Sequence, residues 1–285
     1  MAIGILPHAL RKEKHLAALS ITSVDWPQGQ PEGLRTLGDL KKTDHLVVYP
    51  SSTRFLRLNT GLKCKVSLVL AEPHAIHGKY YALLSILRKR FTFVICRYQQ
   101  YSDKFSNVLA MPVVESWVKP RQQGHRYDKT KACSLIASAK QDLDGHKLRH
   151  QVAYWVKENN LDVELLGRGF KSFDQKEEGL APYRYSVIVE NCQEQNYFTE
   201  KLLDCFLCDT MPIYWGCPNI EDYFNKSGMI ICHSEEELRN AIVNTHAPLS
   251  EEQSRSLEKN KKIAQKNSSL NMRLTELIET TVTSL

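Results

Sequence analysis

Short apolar runs cut off by turn residues alternate along this chain with stretches of helical spacing, and that alternation constrains the fold more than any other feature. The run 46–49 stops at Pro50, and the run 66–70 stops just before Pro73. Further runs follow at 91–96 and 108–114, and between them and the first pair lies a helical stretch, 80–89, whose basic end suits a helix C-terminus. Strand–helix–strand order of this kind predicts a parallel sheet with crossover helices. A polar stretch, 119–126, interrupts the pattern, and a second set then begins. Its expected elements are strands at 133–137, 163–166, 185–189, 212–215 and 229–232, with helices at about 147–157 and 198–207. Ser234 and Glu237 have the spacing of a capping box and open a helix to about 243, and a charged helical segment runs on from about Ser250. The fold class expected is α/β, in two units: 1–118, a linker 119–130, and 131–248, followed by a C-terminal helical segment 249–285. A length of 285 residues suits two domains. Ligands of open parallel sheets sit at the carboxyl ends of the strands, so a cleft is the expected site.

Composition narrows the partners. Apolar residues make up 42% and charged residues 25%, the balance of an ordinary globular protein, and a net charge of +6 without a long basic run gives no footprint for nucleic acid. No window approaches 18 uncharged apolar residues, and the first ten residues lack the pattern of a signal peptide, so neither a membrane span nor export is expected. The eight cysteines sit mostly inside apolar runs, as Cys96 and Cys232 do, and read as reduced and buried, in keeping with a cytoplasmic location. Lys259, Lys261, Lys262 and Lys266 leave two readings open, a solvated helix face or peripheral contact with anionic lipid. Oligomeric state is not legible.

The chemistry concentrates between Glu190 and Gly216. A buried strand ends in Glu190 and Asn191, a polar loop follows, and a helix opens with Thr199, Glu200 and Lys201. Hydroxyl and ammonium groups at a helix N-terminus suit a phosphorylated ligand, because unpaired N–H groups and the dipole favour an anion. A carboxylate there accepts hydrogen bonds from ribose hydroxyls, and a lysine so placed implies negative charge nearby. The bland alternative is a strand end and an ordinary helix cap.

This segment resembles the donor-binding signature of glycosyltransferase family 10, the α1,3-fucosyltransferases, in their bacterial form. A strand ending in Glu-Asn is followed by Tyr-x-Thr-Glu-Lys, an apolar helix and Pro-x-x-x-Gly, matched by Glu190, Asn191, Tyr197, Thr199, Glu200, Lys201, Pro212 and Gly216. The resemblance spans about 183–225, with a weaker match back to Lys131. It implies the GT-B architecture, two Rossmann-like domains facing across a cleft, with the donor GDP-fucose on the second domain and a glycan acceptor on the first. By the same resemblance Lys201 neutralises donor phosphate, Glu200 holds the ribose, Tyr197 packs against nucleotide or sugar, and Glu190 and Asn191 line the sugar end. Arg149 matches the family's basic residue on the diphosphate, and a guanidinium can grip phosphate bidentately.

The family inverts the anomeric centre and needs a general base, which the resemblance places at Glu72, with His74 and His77 as neighbouring alternatives. It implies no cofactor and no metal: Asp142 and Asp144 spell Asp-x-Asp but read as helix caps, and Cys205 and Cys208 lack a second ligand pair. Two alternatives stand beside fucosyl transfer. One is a related enzyme using UDP-xylose or GDP-mannose, and the other a catalytically silent nucleotide-sugar- or carbohydrate-binding protein.

Overall fold

The structure is a computed structural model that describes residues 1–51, 61–122 and 124–284, so Gln123 of the expected linker lies outside the described residues. The chain forms two compact units, Met1–Val113 with Leu270–Leu285, and Val114–Ser269. The first boundary precedes the polar stretch, which belongs wholly to the second unit, and the C-terminal segment is divided between the two.

In unit 1 the strands β1 (Ile3–Ile5), β2 (His45–Val48), β3 (Lys65–Leu70), β4 (Val94–Cys96) and β5 (Val108–Ala110) form a parallel sheet in that spatial order. Period-two alternation sorts their side chains between two faces. Leu46, Val48, Leu68, Leu70, Val94 and Cys96 enter one core, packed under Leu16, Leu37, Tyr81 and Leu84. Val47, Val69 and Ile95 enter the other, covered by Leu270, Leu274 and Ile278 of the C-terminal helix Leu270–Thr283. The helical stretch expected at 80–89 starts earlier and is broken: α1 (His74–Ala82) kinks at His77, with φ −104° and ψ 16°, and α2 (Leu84–Leu87) leads into a 3-10 turn. α3 (Gln99–Lys104) completes the unit.

Unit 2 contains β6 (Lys131–Ile136), α4 (Asp144–Glu158), β7 (Val163–Leu166), β8 (Tyr183–Val189), α5 (Glu200–Leu207), β9 (Met211–Trp215), β10 (Ile230–Ile231), α6 (Glu235–Val243) and α7 (Glu251–Lys266). Its parallel sheet runs β10-β9-β8-β6-β7, a doubly wound order whose direction reverses between β6 and β8. Ser234 caps α6 as expected from its spacing, but the Glu237 carboxylate accepts the N–H of His233 (2.8 Å) rather than that of Ser234.

The lysine cluster of α7 is not one face. Lys261 is buried, and its ammonium donates to both oxygens of Asp209 (2.8 and 2.9 Å) and to the His125 carbonyl (2.8 Å), so it ties the helix to its own unit. Seven of the eight cysteines are buried, as expected, and Cys192 is half-exposed. No helix among the described residues is long and apolar enough to cross a membrane.

Candidate nucleotide-sugar site

The α5 N-terminus is anchored from below by Glu190. This carboxylate, fully buried at the end of β8, accepts the Thr199 N–H (2.8 Å), the Thr199 hydroxyl (2.7 Å) and the Lys201 ammonium (3.3 Å). Thr199 is the N-cap residue, and its hydroxyl oxygen also receives the Lys201 ammonium at 2.9 Å. The negative charge implied by a lysine at a helix start is therefore supplied by the protein, through Glu190 and through Glu200 at 3.5 Å. Burial alone would lower the Lys201 pKa, but Glu190 and Glu200 outweigh it and hold the ammonium above the usual lysine value.

A cavity of about 600 Å³ opens beside this helix start. It is lined by the ends of β6 (Ile136) and β8 (Val187–Val189) together with Gly167 just beyond β7, so it occupies the switch point of the sheet, where doubly wound folds take their ligands. Lys140, Arg149, Arg168, Lys176 and Lys201 line it against only two carboxylates, Asp174 and Glu200. Its volume falls in the range of small-molecule and cofactor sites, and the excess of cations selects an anion. Arg149, buried on α4, donates to the Val189 carbonyl at 2.5 Å; burial lowers its pKa, against the pull of Glu190 and Glu200. Asn191 lines the cavity too, and its carbonyl accepts the Gly145 N–H at 3.1 Å.

Two glycines permit this packing. A Cβ on Gly145, in the first turn of α4, would lie 1.8 Å from the Glu190 carbonyl oxygen, and one on Gly216 would lie 2.6 Å from both the Glu190 Cγ and the Tyr214 hydroxyl. The glycine of the Pro-x-x-x-Gly pattern thus makes room for the anchoring carboxylate. Gly145→Ala is expected to cost about 3 kcal/mol, the upper part of the overpacking range, because the obstacle is backbone. Gly78, with open space around it, serves as the comparison. A thermal melt in which Gly145→Ala and Gly78→Ala behave alike would remove this account of α4 docking.

Of the residues singled out by sequence, Arg149, Asn191, Glu200 and Lys201 share the cavity wall. Glu190 and Tyr197 are buried and off that wall, and Thr199 caps the helix. The loop between β8 and α5 is held by Asn196, in the left-handed region at φ 62°, whose side-chain oxygen accepts from Asn219 (2.7 Å) and the Tyr223 hydroxyl (2.7 Å). Lys140, Arg168, Lys176, His146 and Trp117, which no sequence motif marks, are also on the cavity wall. Lys140, Arg168 and Trp117 lie in loops, Lys176 in a 3-10 turn and His146 in the first turn of α4, and only the sheet order brings them together.

Glu72 belongs to unit 1, just past β3, the central strand of its sheet. Its carbonyl accepts the Tyr81 hydroxyl at 3.0 Å. His74 sits among Tyr81 and Tyr98, ring centroids 4.4 and 4.3 Å away, with its Nε2 3.0 Å from the Tyr101 hydroxyl. Burial drives the His77 pKa down to about 4, with the positive charges of its neighbours acting in the same direction. Asp142 and Asp144 precede and open α4, whose N-cap is Leu143, and no group of three metal-binding side chains occurs among the described residues.

Two parallel α/β units, one of them doubly wound around a cationic cavity, have the fold of the GT-B glycosyltransferases. A mutant of S. aureus TarM solved with Fondaparinux, alpha-GlcNAc-glycerol and UDP aligns with a TM-score of 0.59 at 11% identity, over 84% of this chain and 55% of that one. Residues 126–240 match the model of the glycosyltransferase family 10 (fucosyltransferase) C-terminal part, which bears out the resemblance carried by Glu190 to Gly216. The alpha-(1,3)-fucosyltransferase FucT of Helicobacter pylori is 36% identical over 67 residues, 24% of this chain and 14% of that protein. GDP-fucose protein O-fucosyltransferase 3 of Xenopus laevis is 37% identical over 54 residues, 18% of this chain and 12% of that protein. The matched stretches thus span less than a fifth of either curated relative.

Proposed function

We propose that unit 2 binds a nucleotide sugar, GDP-fucose foremost, and that the protein transfers the sugar to a hydroxyl of a glycan acceptor. The observation that carries this reading is the cluster of five cations around one cavity at the switch point of a sheet that matches the fucosyltransferase model. A diphosphate leaving group gains charge as its bond to the anomeric carbon breaks, and cations fixed in advance stabilise that charge without reorganising. Arg149 and Lys201 take the phosphates, Glu200 the ribose hydroxyls, and Asn191 the sugar end. Glu190 and Thr199 act from below by fixing the helix start, and Tyr197 is buried beside them in the chain. With the charge met by side chains, transfer proceeds without a metal. The relatives' fucosyltransferase names, and GDP-fucose in one of them, support the choice of donor.

The reaction is a single displacement with inversion. The acceptor oxygen attacks the anomeric carbon, the electron pair of the breaking bond leaves on the diphosphate, and a base takes the acceptor proton. Glu72 is the proposed base. Glu72→Ala is expected to leave donor binding intact and to lower transfer by about 10²–10⁴-fold, the range for loss of a general base. Full activity in that variant would remove Glu72 from the mechanism. The donor itself is tested by thermal shift with GDP-fucose, GDP-mannose and UDP-xylose. GDP-fucose is expected to stabilise most, and a clear preference for the UDP-sugar contradicts the fucose assignment.

A further inference from the structure

Lys176 and Trp117 also stand on the cavity wall. Lys176 opens a 3-10 turn between β7 and β8, and its ammonium lies 5.6 Å from the centroid of the Trp117 ring. Among the described residues it has no ion pair or hydrogen bond. Burial lowers its pKa, and the charges of Lys201 and Arg149 act the same way, although Asp204 and Glu200 oppose them. Three cations therefore converge on one space, two of them already tied to protein oxygens and the third resting on an aromatic face.

The backbone at Trp117 is held in place. Asp204, fully buried on α5 one turn beyond Lys201, accepts the N–H groups of Trp117 (2.9 Å) and Val118 (3.1 Å) on a single carboxylate oxygen. That grip sets the backbone from which Trp117 projects with 69% of its surface exposed. The segment that carries Trp117 is thus fastened to the helix that presents Lys201. A cation–π contact at an accessible ring is weaker than a charge-assisted hydrogen bond to phosphate, so an ammonium in this position is readily recruited by an anion.

We infer that Lys176 is a third cation for the diphosphate, beside Arg149 and Lys201, and that it exchanges between the Trp117 indole and the phosphate oxygens. The inference rests on the nucleotide reading of the cavity and adds to it a binding residue and an optical reporter.

The test titrates GDP, inorganic pyrophosphate and guanosine into the wild-type protein and into Lys176→Gln, Lys176→Arg and Trp117→Phe, by calorimetry and tryptophan fluorescence. The expected result is that Lys176→Gln weakens GDP and pyrophosphate by about tenfold, the loss of one charge-assisted bond, and that Lys176→Arg restores most of it. Guanosine binding should not change. Wild-type fluorescence should respond to both phosphorylated probes, and the response should vanish in Trp117→Phe and in Lys176→Gln. Wild-type affinity for GDP and pyrophosphate in Lys176→Gln overturns the inference while leaving the nucleotide reading intact. Failure of the wild-type protein to bind either probe overturns both.

Discussion

Glu190→Ala is expected to destabilise unit 2 by about 3–5 kcal/mol, the usual cost of removing one partner from a buried charge pair. Three donors converge on this carboxylate: the Thr199 N–H, the Thr199 hydroxyl and the Lys201 ammonium. Without it the first turn of α5 has no acceptor beneath it, and Lys201 is left with Glu200 and the Thr199 hydroxyl. Glu190→Gln keeps one acceptor for Thr199 but faces the ammonium with a neutral amide, so a smaller loss of about 1–2 kcal/mol is expected. Urea denaturation read from Trp155 and Trp215, both in unit 2, measures the two values. A loss in Glu190→Ala below that of Glu190→Gln would show that the carboxylate does not anchor the helix.

Unit 1 is expected to lose stability as pH falls from about 6.5 to 4, through His45. This ring is fully buried in β2, stacked 6.0 Å from Phe93. Burial, helped by Lys65 and opposed by Asp44, lowers its pKa to about 4. A base whose folded pKa lies below its unfolded value binds fewer protons folded than unfolded across that window, so stability is present above the unfolded value and is lost on acidification. The shift corresponds to about 3 kcal/mol at 1.36 kcal/mol per unit. His77, also driven down to about 4, adds in the same direction. Asp204 in unit 2 runs the other way: burial raises its pKa to about 7, so the stability it contributes is present in acid and lost as pH rises through that value. Melts of the wild-type protein and His45→Leu between pH 4 and 7 test the first term. A pH dependence unchanged by His45→Leu would contradict it.

The order of strands and helices was legible because parallel strands buried in a sheet are near-continuous apolar runs, and those runs are plain at 46–49, 66–70 and 185–189. The helix at 200–207 and its Thr199 cap were legible for a similar local reason. Less accessible was the fate of the last 37 residues expected as one segment. α7 packs with unit 2 while the helix Leu270–Thr283 covers a sheet face of unit 1, and both are amphipathic helices with nothing local to mark their partner sheet. The site divides the same way. Contiguous residues from Glu190 to Lys201 announced themselves, but sequence could not show that Glu190 points inward, since the space it fills is made by Gly216 and by the close approach of Gly145. Lys140, Arg168 and Lys176 stand far apart in the chain and look like ordinary surface charge until strand order gathers them.

On the proposed function this cavity holds a nucleoside diphosphate by its cations. Calorimetric titration of GDP into the wild-type protein and Lys201→Ala tests it most directly. One GDP per chain is expected for the wild type and an affinity at least about tenfold weaker for the variant, as loss of a charge-assisted phosphate contact requires. Absence of binding to the wild-type protein, or equal affinity in Lys201→Ala, would contradict it.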